Sequence, residues 1–406
     1  MKKNKLNIPK PSFHGFVDLF SGAGGMSFGF HKHPAFKVLA AADAEIAKLS
    51  MKAGTLRCNS TYALNMGIEP VQVDLGRIEP DQLRECLGIG DQHVSVLSAC
   101  APCTGFSRAN PQNRLRNDYR NTLVEQSGLF ATALDADILV MENARELLSG
   151  NFACHFQALK GHLEKHGYTV HADSHMLTRY GLPQIRERAL VIAVKSHLQL
   201  KTLADLWEGC EVGSESVTVR KAFSAIRPDE GNTLMYPKFA DEAVLNRLAA
   251  IPKDGGSWTD LIFHPNKDAL LTGAMKRRIE KNKLGSHPDV YGRMWWDKPA
   301  PTIKRECAHI GNGRYAHPSE NRLCSVREMA ILQVFPNEFG FNGNSVSNNY
   351  RHIGDAVPPL ISYQIAWLCQ WMLGGDKPSP EQWVLPDTHL KVADLIPAQQ
   401  RKLLYG

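Results

Sequence analysis

At 406 residues the chain can bury more than one core, and no apolar run approaches the ~20 residues of a membrane span, so the expectation is a protein without membrane contact. Nine cysteines, an odd number without a disulfide rhythm, exclude a disulfide-built scaffold, and the basic N-terminus lacks an apolar signal core; a reducing cytoplasm is expected. The net charge of +6 permits a nucleic-acid partner without proving one.

In chain order, Gly15 to Phe20 is a short apolar run that enters the glycine-rich turn Asp-Leu-Phe-Ser-Gly-Ala-Gly-Gly (18–25). It reads as a buried parallel strand, and Met26 to His31 opens a helix. Val38 to Ala42 predicts a second strand ending at Asp43, and Glu45–Lys52 a helix. Val71-Gln72-Val73 predicts a third strand ending at Asp74, and Val94 to Ala99 a fourth that runs into Ala-Pro-Cys-Thr-Gly-Phe-Ser (101–107). Asn121–Ala136 reads as helix, and Asp137 to Met141 as a fifth strand ending at Glu142. Alternating strands and helices predict an α/β fold, a parallel sheet wound with helices on both faces. The chemically interesting residues fall at strand C-termini, where open α/β sheets bind ligands.

Beyond residue 195 the rhythm is lost. Turn signals at 231–233 and 253–256, a cluster of Trp258, Trp295 and Trp296, and Pro299-Ala300-Pro301 replace it. From Lys253 to Glu328 there are fourteen Lys/Arg against nine Asp/Glu. Lys276, Arg277 and Arg278 stand out; a solvated helix face is the bland reading, a phosphate-contacting surface the sharper one. Ser362–Leu373 looks like an apolar helix returning to the first domain. The expected boundaries are 1–195 plus 345–406 for a catalytic domain and 196–344 for a second, smaller domain.

The turn carrying Ser21, Gly22, Gly24 and Gly25 lets backbone N–H groups approach a ligand at a helix start. Asp43, about twenty residues on, suits both hydroxyls of a ribose, and Asp74 an adenine amino group. The spacing is not Gly-x-Gly-x-x-Gly, which disfavours a dinucleotide. Cys103 lies past a strand end after Pro102, in a loop; free cysteine is more often inert packing, but loops carry chemistry. Cys100 and Cys103 spell Cys-x-x-Cys without a second such pair, so no metal site is expected. Glu142-Asn143 in isolation reads equally as a helix cap or a surface acid. In Gln184-x-Arg186-x-Arg188, alternate residues of an extended segment face one way.

Taken in order, with Gly354-Asp355-Ala356-Val357-Pro358-Pro359 closing the series, these blocks resemble the DNA (cytosine-5) methyltransferase family over most of the chain. The stretch from Arg293 to Pro336 resembles it as well. The resemblance implies a Rossmann-like S-adenosylmethionine-dependent methyltransferase fold, with 196–344 as target-recognition domain. It implies S-adenosylmethionine as cofactor, Phe20 packed on its adenine, and Pro102, Asp355 and Ala356 beside it. Cys103 is then the nucleophile that adds to C6 of cytosine, Glu142 the group that protonates or hydrogen-bonds N3, and Arg186 and Arg188 the groups that hold O2 and orient the Cys loop. Ser107, Arg108, Asn110, Asn143, Gln184, Lys276, Arg277 and Arg278 are the candidate substrate contacts. Double-stranded DNA is the implied partner, the chain acting as a monomer, with restriction or defence proteins as possible cognates.

Thr104, Ala144, Asp355 and Ala44 depart from the commonest pattern of that family, none of them a catalytic group. Two other functions stay open: the same chemistry on RNA, where a second Cys would usually stand in place of Glu142-Asn143, and a non-catalytic DNA-binding relative, disfavoured by Cys103, Glu142 and Arg188 together.

Overall fold

The computed structural model describes residues 13–46, 54–102, 119–151, 153–228, 235–285 and 287–397. Its centre is a six-stranded sheet of β1 (His14–Leu19), β2 (Phe36–Ala42), β3 (Val96–Ala99), β4 (Ile138–Ala144), β5 (Tyr168–Met176) and β6 (Glu187–Lys195), in the order β2-β1-β3-β4-β6-β5. The strands β2, β1, β3 and β4 run parallel, as the sequence predicts. The sheet as a whole is mixed, because β6 pairs antiparallel with both β4 and β5.

Two local expectations change. Val71-Gln72-Val73 is not a strand; only Val71 bridges to Ala42, because Asp74 immediately caps a 3-10 turn over Leu75–Arg77 by accepting from the Gly76 amide. The helix expected from Glu45 does not start there: Glu45 sits at φ 55°, and 47–53 lie outside the described residues.

Alternation along the strands builds two apolar layers. Phe16, Val96, Ile138, Val140, Leu190 and Ile192 face one side; Val17, Leu97, Leu139, Met141, Val191 and Ala193 face the other. On the first side lie α1 (Gly25–Lys32) and, packed along it, the apolar helix anticipated at 362–373, which spans Pro359–Met372. On the second lie Thr122–Ala133 and Cys154–Lys165, packed on each other. No helix among the described residues is long and apolar enough to cross a membrane.

Past residue 195 the helices are short and the side chains do much of the organising. Arg293 is fully buried and donates to the carbonyls of Leu248, Ile251, His317 and Glu320 and to Asn321 Oδ1. A guanidinium can satisfy that many acceptors because its five N–H groups fan out in one plane. The core on this side is continuous from Phe16 through Trp258 and Met275 to Phe339, so it crosses both expected domain boundaries. A two-stranded ribbon, Cys210–Val212 with Leu395–Pro397, crosses the second boundary too.

The contact between α1 and the Pro359–Met372 helix positions everything at the mouth of β1. Ser362 Oγ donates to Gly25 O and accepts from Gly29 N, and a Cβ on Gly29 would lie 2.2 Å from Tyr363 N. Gly29→Ala must therefore push the two helices apart. Urea denaturation is expected to show a loss of about 2–3 kcal/mol; a variant as stable as the parent would mean this contact is not close-packed.

Candidate active site

The site forms along the rim where β1, β2, β3 and β4 end. Beyond β1 the chain turns through Phe20 at φ 58°, Gly22 at 52° and Gly24 at 93° before α1 starts. Left-handed backbone is costly for a bulky residue, and such strain collects at functional sites. Strand pairing continues into the turn: Ser21 N donates to Ala42 O, and Gly22 N to Asp43 Oδ2 at 2.9 Å. The other Asp43 oxygen accepts from Glu45 N at 2.6 Å. Ser21 Oγ is buried and has no hydrogen-bond partner. Asp74 stands three residues along from the Val71 bridge, partly exposed and paired with Arg77 at 3.2 Å.

Below the turn lies Asp18, which the sequence reading passed over. It is 1% exposed; Ser27 Oγ donates to its Oδ2 at 2.6 Å and Tyr62 OH donates in turn to Ser27 Oγ. Burial raises the Asp18 carboxyl to about 7, against the Ser27 hydrogen bond that lowers it. The signal was present: an acid inside the apolar run Gly15 to Phe20 has no cheap place to put its charge.

At the centre of the rim the exits of β3 and β4 are clamped together. Asn143 is buried and its Nδ2 donates to Ala101 O at 3.0 Å, while Glu142 N meets Cys100 Sγ at 3.3 Å. Asn143, named as a candidate substrate contact, thus has its side chain turned onto the backbone at the start of the Cys loop. Burial pushes the Cys100 thiol well up, which leaves it protonated. Pro102 is exposed at the loop's start; Cys103, Ser107, Arg108 and Asn110 lie outside the described residues.

Glu142 sits on β4 opposite Leu190 of β6, and Arg188 is two residues from Leu190 on the same face. Diagonal neighbours of this kind are within reach of a long side chain. Arg188 Nε lies 3.2 Å and Arg186 Nη2 3.6 Å from Glu142 Oε1. That oxygen is buried between two guanidiniums, yet accepts no hydrogen bond among the described residues.

The alternation expected over 184–188 holds: Gln184 and Arg186 are buried while Ile185 is exposed. Their partners differ, however. Gln184 is fully enclosed; it accepts from Ile303 N at 2.9 Å and donates to Gln333 Oε1 at 2.5 Å, so its amide is turned into the protein. Arg186 donates to Ile303 O at 3.3 Å and Ala356 O at 3.2 Å. Ala356 O also accepts from Gln333 Nε2, which brings the 354–359 block to the rim as the sequence suggested. Asp355 pairs with Arg305 at 2.8 Å, a residue the sequence reading did not single out. Lys276, Arg277 and Arg278 lie apart from these groups on a helix of their own, Gly273–Glu280, anchored by buried Met275.

Comparison with known proteins gives a consistent result. A model of the family described as C-5 cytosine-specific DNA methylase matches residues 14–371. The Type II methylase M.HgiDII of Herpetosiphon aurantiacus is 28% identical over 360 residues, covering 86% of this chain and 93% of its own. The Type II methyltransferase M.Eco47II of Escherichia coli is 29% identical over 362 residues, covering 86% and 77% respectively. Among solved structures, the Dnmt2 methyltransferase of S. pombe shares the fold, with a TM-score of 0.58 at 16% identity over 89% of this chain and all of that one.

Asp18 yields a pH prediction. The folded carboxyl keeps its proton up to about pH 7, whereas the unfolded one releases it near 3.8, so the folded state binds the extra proton between those values. Its stabilising contribution is full below the lower value and is lost as the pH rises through the upper one. Relative to Asp18→Asn, the parent protein should lose about 1.4 kcal/mol of stability per pH unit between roughly pH 5 and 7. Parallel stability curves for the two proteins would show that Asp18 is ionised in the fold.

Proposed function

The chain belongs to the C-5 cytosine-specific DNA methylases, which use S-adenosylmethionine to methylate cytosine in DNA, and from that footing we propose that it draws its target cytosine out of the double helix and attacks it with Cys103. The observation that carries the reading is Glu142 Oε1, a buried carboxylate oxygen flanked by Arg186 and Arg188 and accepting no hydrogen bond among the described residues. It stands beside the clamped exit of β3, three residues before Cys103.

The chemistry explains the residue types. Carbon 5 of cytosine is too weakly nucleophilic to take a methyl group. The Cys103 thiolate adds to C6, which breaks the aromaticity and makes C5 an enamine carbon. Glu142 hydrogen-bonds or protonates N3 and so draws off the electron pair that the addition releases. Arg186 and Arg188 fix Glu142 and present guanidinium charge to O2. After C5 has been methylated, loss of its proton expels the thiolate and restores the ring. The base cannot react while stacked, so it must be extruded at a cost of a few kcal/mol. Ser107, Arg108 and Asn110, in the loop after Cys103, are assigned to the duplex around the vacated position.

S-adenosylmethionine supplies the electrophilic methyl group. The residues present suit it: Phe20 is a part-exposed ring at the tip of β1, Asp43 keeps lone pairs for ribose hydroxyls, and Ser21 Oγ is a buried polar atom lacking a partner. Asp74 is assigned to the adenine amino group, and the Gly22–Gly25 turn, Pro102, Asp355 and Ala356 to the rest of the pocket. Residues 196–344 are assigned to reading the DNA sequence, with Lys276, Arg277 and Arg278 on phosphates, which position rather than specify. The protein acts on double-stranded DNA as a monomer in this account, in company with a cognate restriction or defence protein.

A duplex carrying 5-fluorocytosine tests the reading, because fluorine cannot leave as a proton. With S-adenosylmethionine present, the parent protein should form a covalent adduct that maps to Cys103, and Cys103→Ser should form none while binding the cofactor as before. An adduct on Cys100, or none on the parent, would overturn the assignment; turnover on tRNA in place of double-stranded DNA would favour the RNA alternative.

A further inference from the structure

A single segment, residues 296–303, ties the candidate active site to the second part of the chain. Ile303 O accepts from Arg186, Ala300 O from Ile185 N, Lys298 O from Val219 N and Trp296 O from Arg220 N. Six residues separate Asp297 from Ile303, so those two positions lie at most about 20 Å apart. Alongside the segment the surface opens into a cleft of about 910 Å³, with Thr178 and Ile185 on one wall, Arg220 on the other, and Asp297 and Pro299 between them. Ile185 stands between Gln184 and Arg186, so the cleft begins one residue from an arginine beside Glu142.

Two neighbouring cations stand on the far wall, and their partners separate their roles. Lys221 lies 2.9 Å from Asp394, whose side chain is 12% exposed and also accepts from Ser216 Oγ and Lys391 N; that bridge is part of the fold. Arg220 meets Asp297 instead, Nε to Oδ1 at 2.6 Å and Nη2 to Oδ2 at 2.9 Å, with the two side chains 57% and 69% exposed. An ion pair so open to water contributes little to stability and exchanges readily. The guanidinium does not depend on it for its place. Arg220 N is fixed on Trp296 O, Thr218 caps the short helix Val219–Phe223 by accepting from Lys221 N, and the guanidinium lies over the Trp296 ring, 5.3 Å from its centre. Asp254, the other acid nearby, accepts from Trp296 N. Arg220 is thus held out into the cleft by its backbone and an aromatic ring. Its two parallel N–H groups, resting on an exposed carboxylate, form the fork that also grips a phosphate.

We propose that Arg220 contacts a backbone phosphate of the DNA on which this chain acts, and that Asp297 stands in for that phosphate in the DNA-free protein. This rests on the target base entering at Glu142. Six base pairs at about 3.4 Å each cover about 20 Å of duplex, the largest separation the segment allows between Asp297 and Ile303. A duplex that delivers a base to Glu142 along this cleft therefore carries phosphates within reach of Arg220. Binding exchanges the carboxylate for a phosphate and breaks no buried contact. The contact positions the duplex and does not read its sequence.

Fluorescence anisotropy with a mixed-sequence DNA duplex, followed over a series of salt concentrations, tests the exchange. Arg220→Gln should weaken binding about tenfold at low salt and flatten the dependence of log K on log salt by about 0.9, the share of one phosphate contact. Arg220→Lys should keep the parent slope, because the charge remains, but bind less tightly, because the fork is lost. Asp297→Asn should tighten binding several-fold in the parent and leave it unchanged in the Arg220→Gln background, since the acid acts through Arg220. Affinity and slope unmoved by Arg220→Gln would overturn the proposal and leave the pair a surface bridge. Equal tightening by Asp297→Asn in both backgrounds would also overturn it, because the acid would then merely repel DNA. A parent protein that binds no duplex at all fails at the earlier step, the reading of the substrate.

Discussion

Everything at this rim depends on where the Arg186 guanidinium goes. The side chain is 2% exposed and gives its N–H groups to Ile303 O and Ala356 O while lying 3.6 Å from Glu142. A buried guanidinium is tolerable only when its charge is balanced and its donors are used. Meeting that condition draws three remote stretches together: the tip of β4, the segment around 303, and the end of the helix that carries Asp355. Gln184 and Gln333 complete the network by bonding to Ile303, to each other and to Ala356. Within such a low-dielectric cluster each bond strengthens its neighbours, and losing one leaves the others badly placed. Arg186 thereby joins the group around Glu142 to the segment that carries Asp355.

The sheet explains why two sites can share one rim. From β1 the chain winds outward to β2 on one side and to β3 on the other. At that reversal the loops part, and a crevice opens beyond the strand ends. The glycine turn and Asp43 lie on one side of it. The exit of β3, with Glu142 and the arginines next to it, lies on the other. The two groups of side chains thus stand at adjacent strand tips without any dedicated scaffold.

Much of this was legible in the sequence, and the exceptions have physical reasons. The strands β1 and β2, and the place of Asp43 at the end of β2, follow from apolar runs that stop at a polar residue. β5 was missed because Tyr-Thr-Val-His-Ala-Asp-Ser-His-Met belongs to an edge strand that buries few of its side chains. β6 was missed as well, and its antiparallel course could not have been read in any case, since a central apolar run looks the same in either direction. Gln184 was read as a substrate contact from its neighbours; its partner Gln333 lies 149 residues on, and nothing local announces the pairing. Arg305 likewise gave no signal, because it meets Asp355 only where Gly354 lets the backbone pass.

The most direct test of the central claim is the cofactor affinity of Arg186→Lys, measured by calorimetry on the DNA-free protein. Lysine keeps the charge but cannot bridge Ile303, Ala356 and Glu142 at once. If Arg186 supports both sites, S-adenosylmethionine binding should weaken by about tenfold, together with a loss of methylation. Methylation lost with cofactor affinity unchanged would contradict the account and confine Arg186 to the target base.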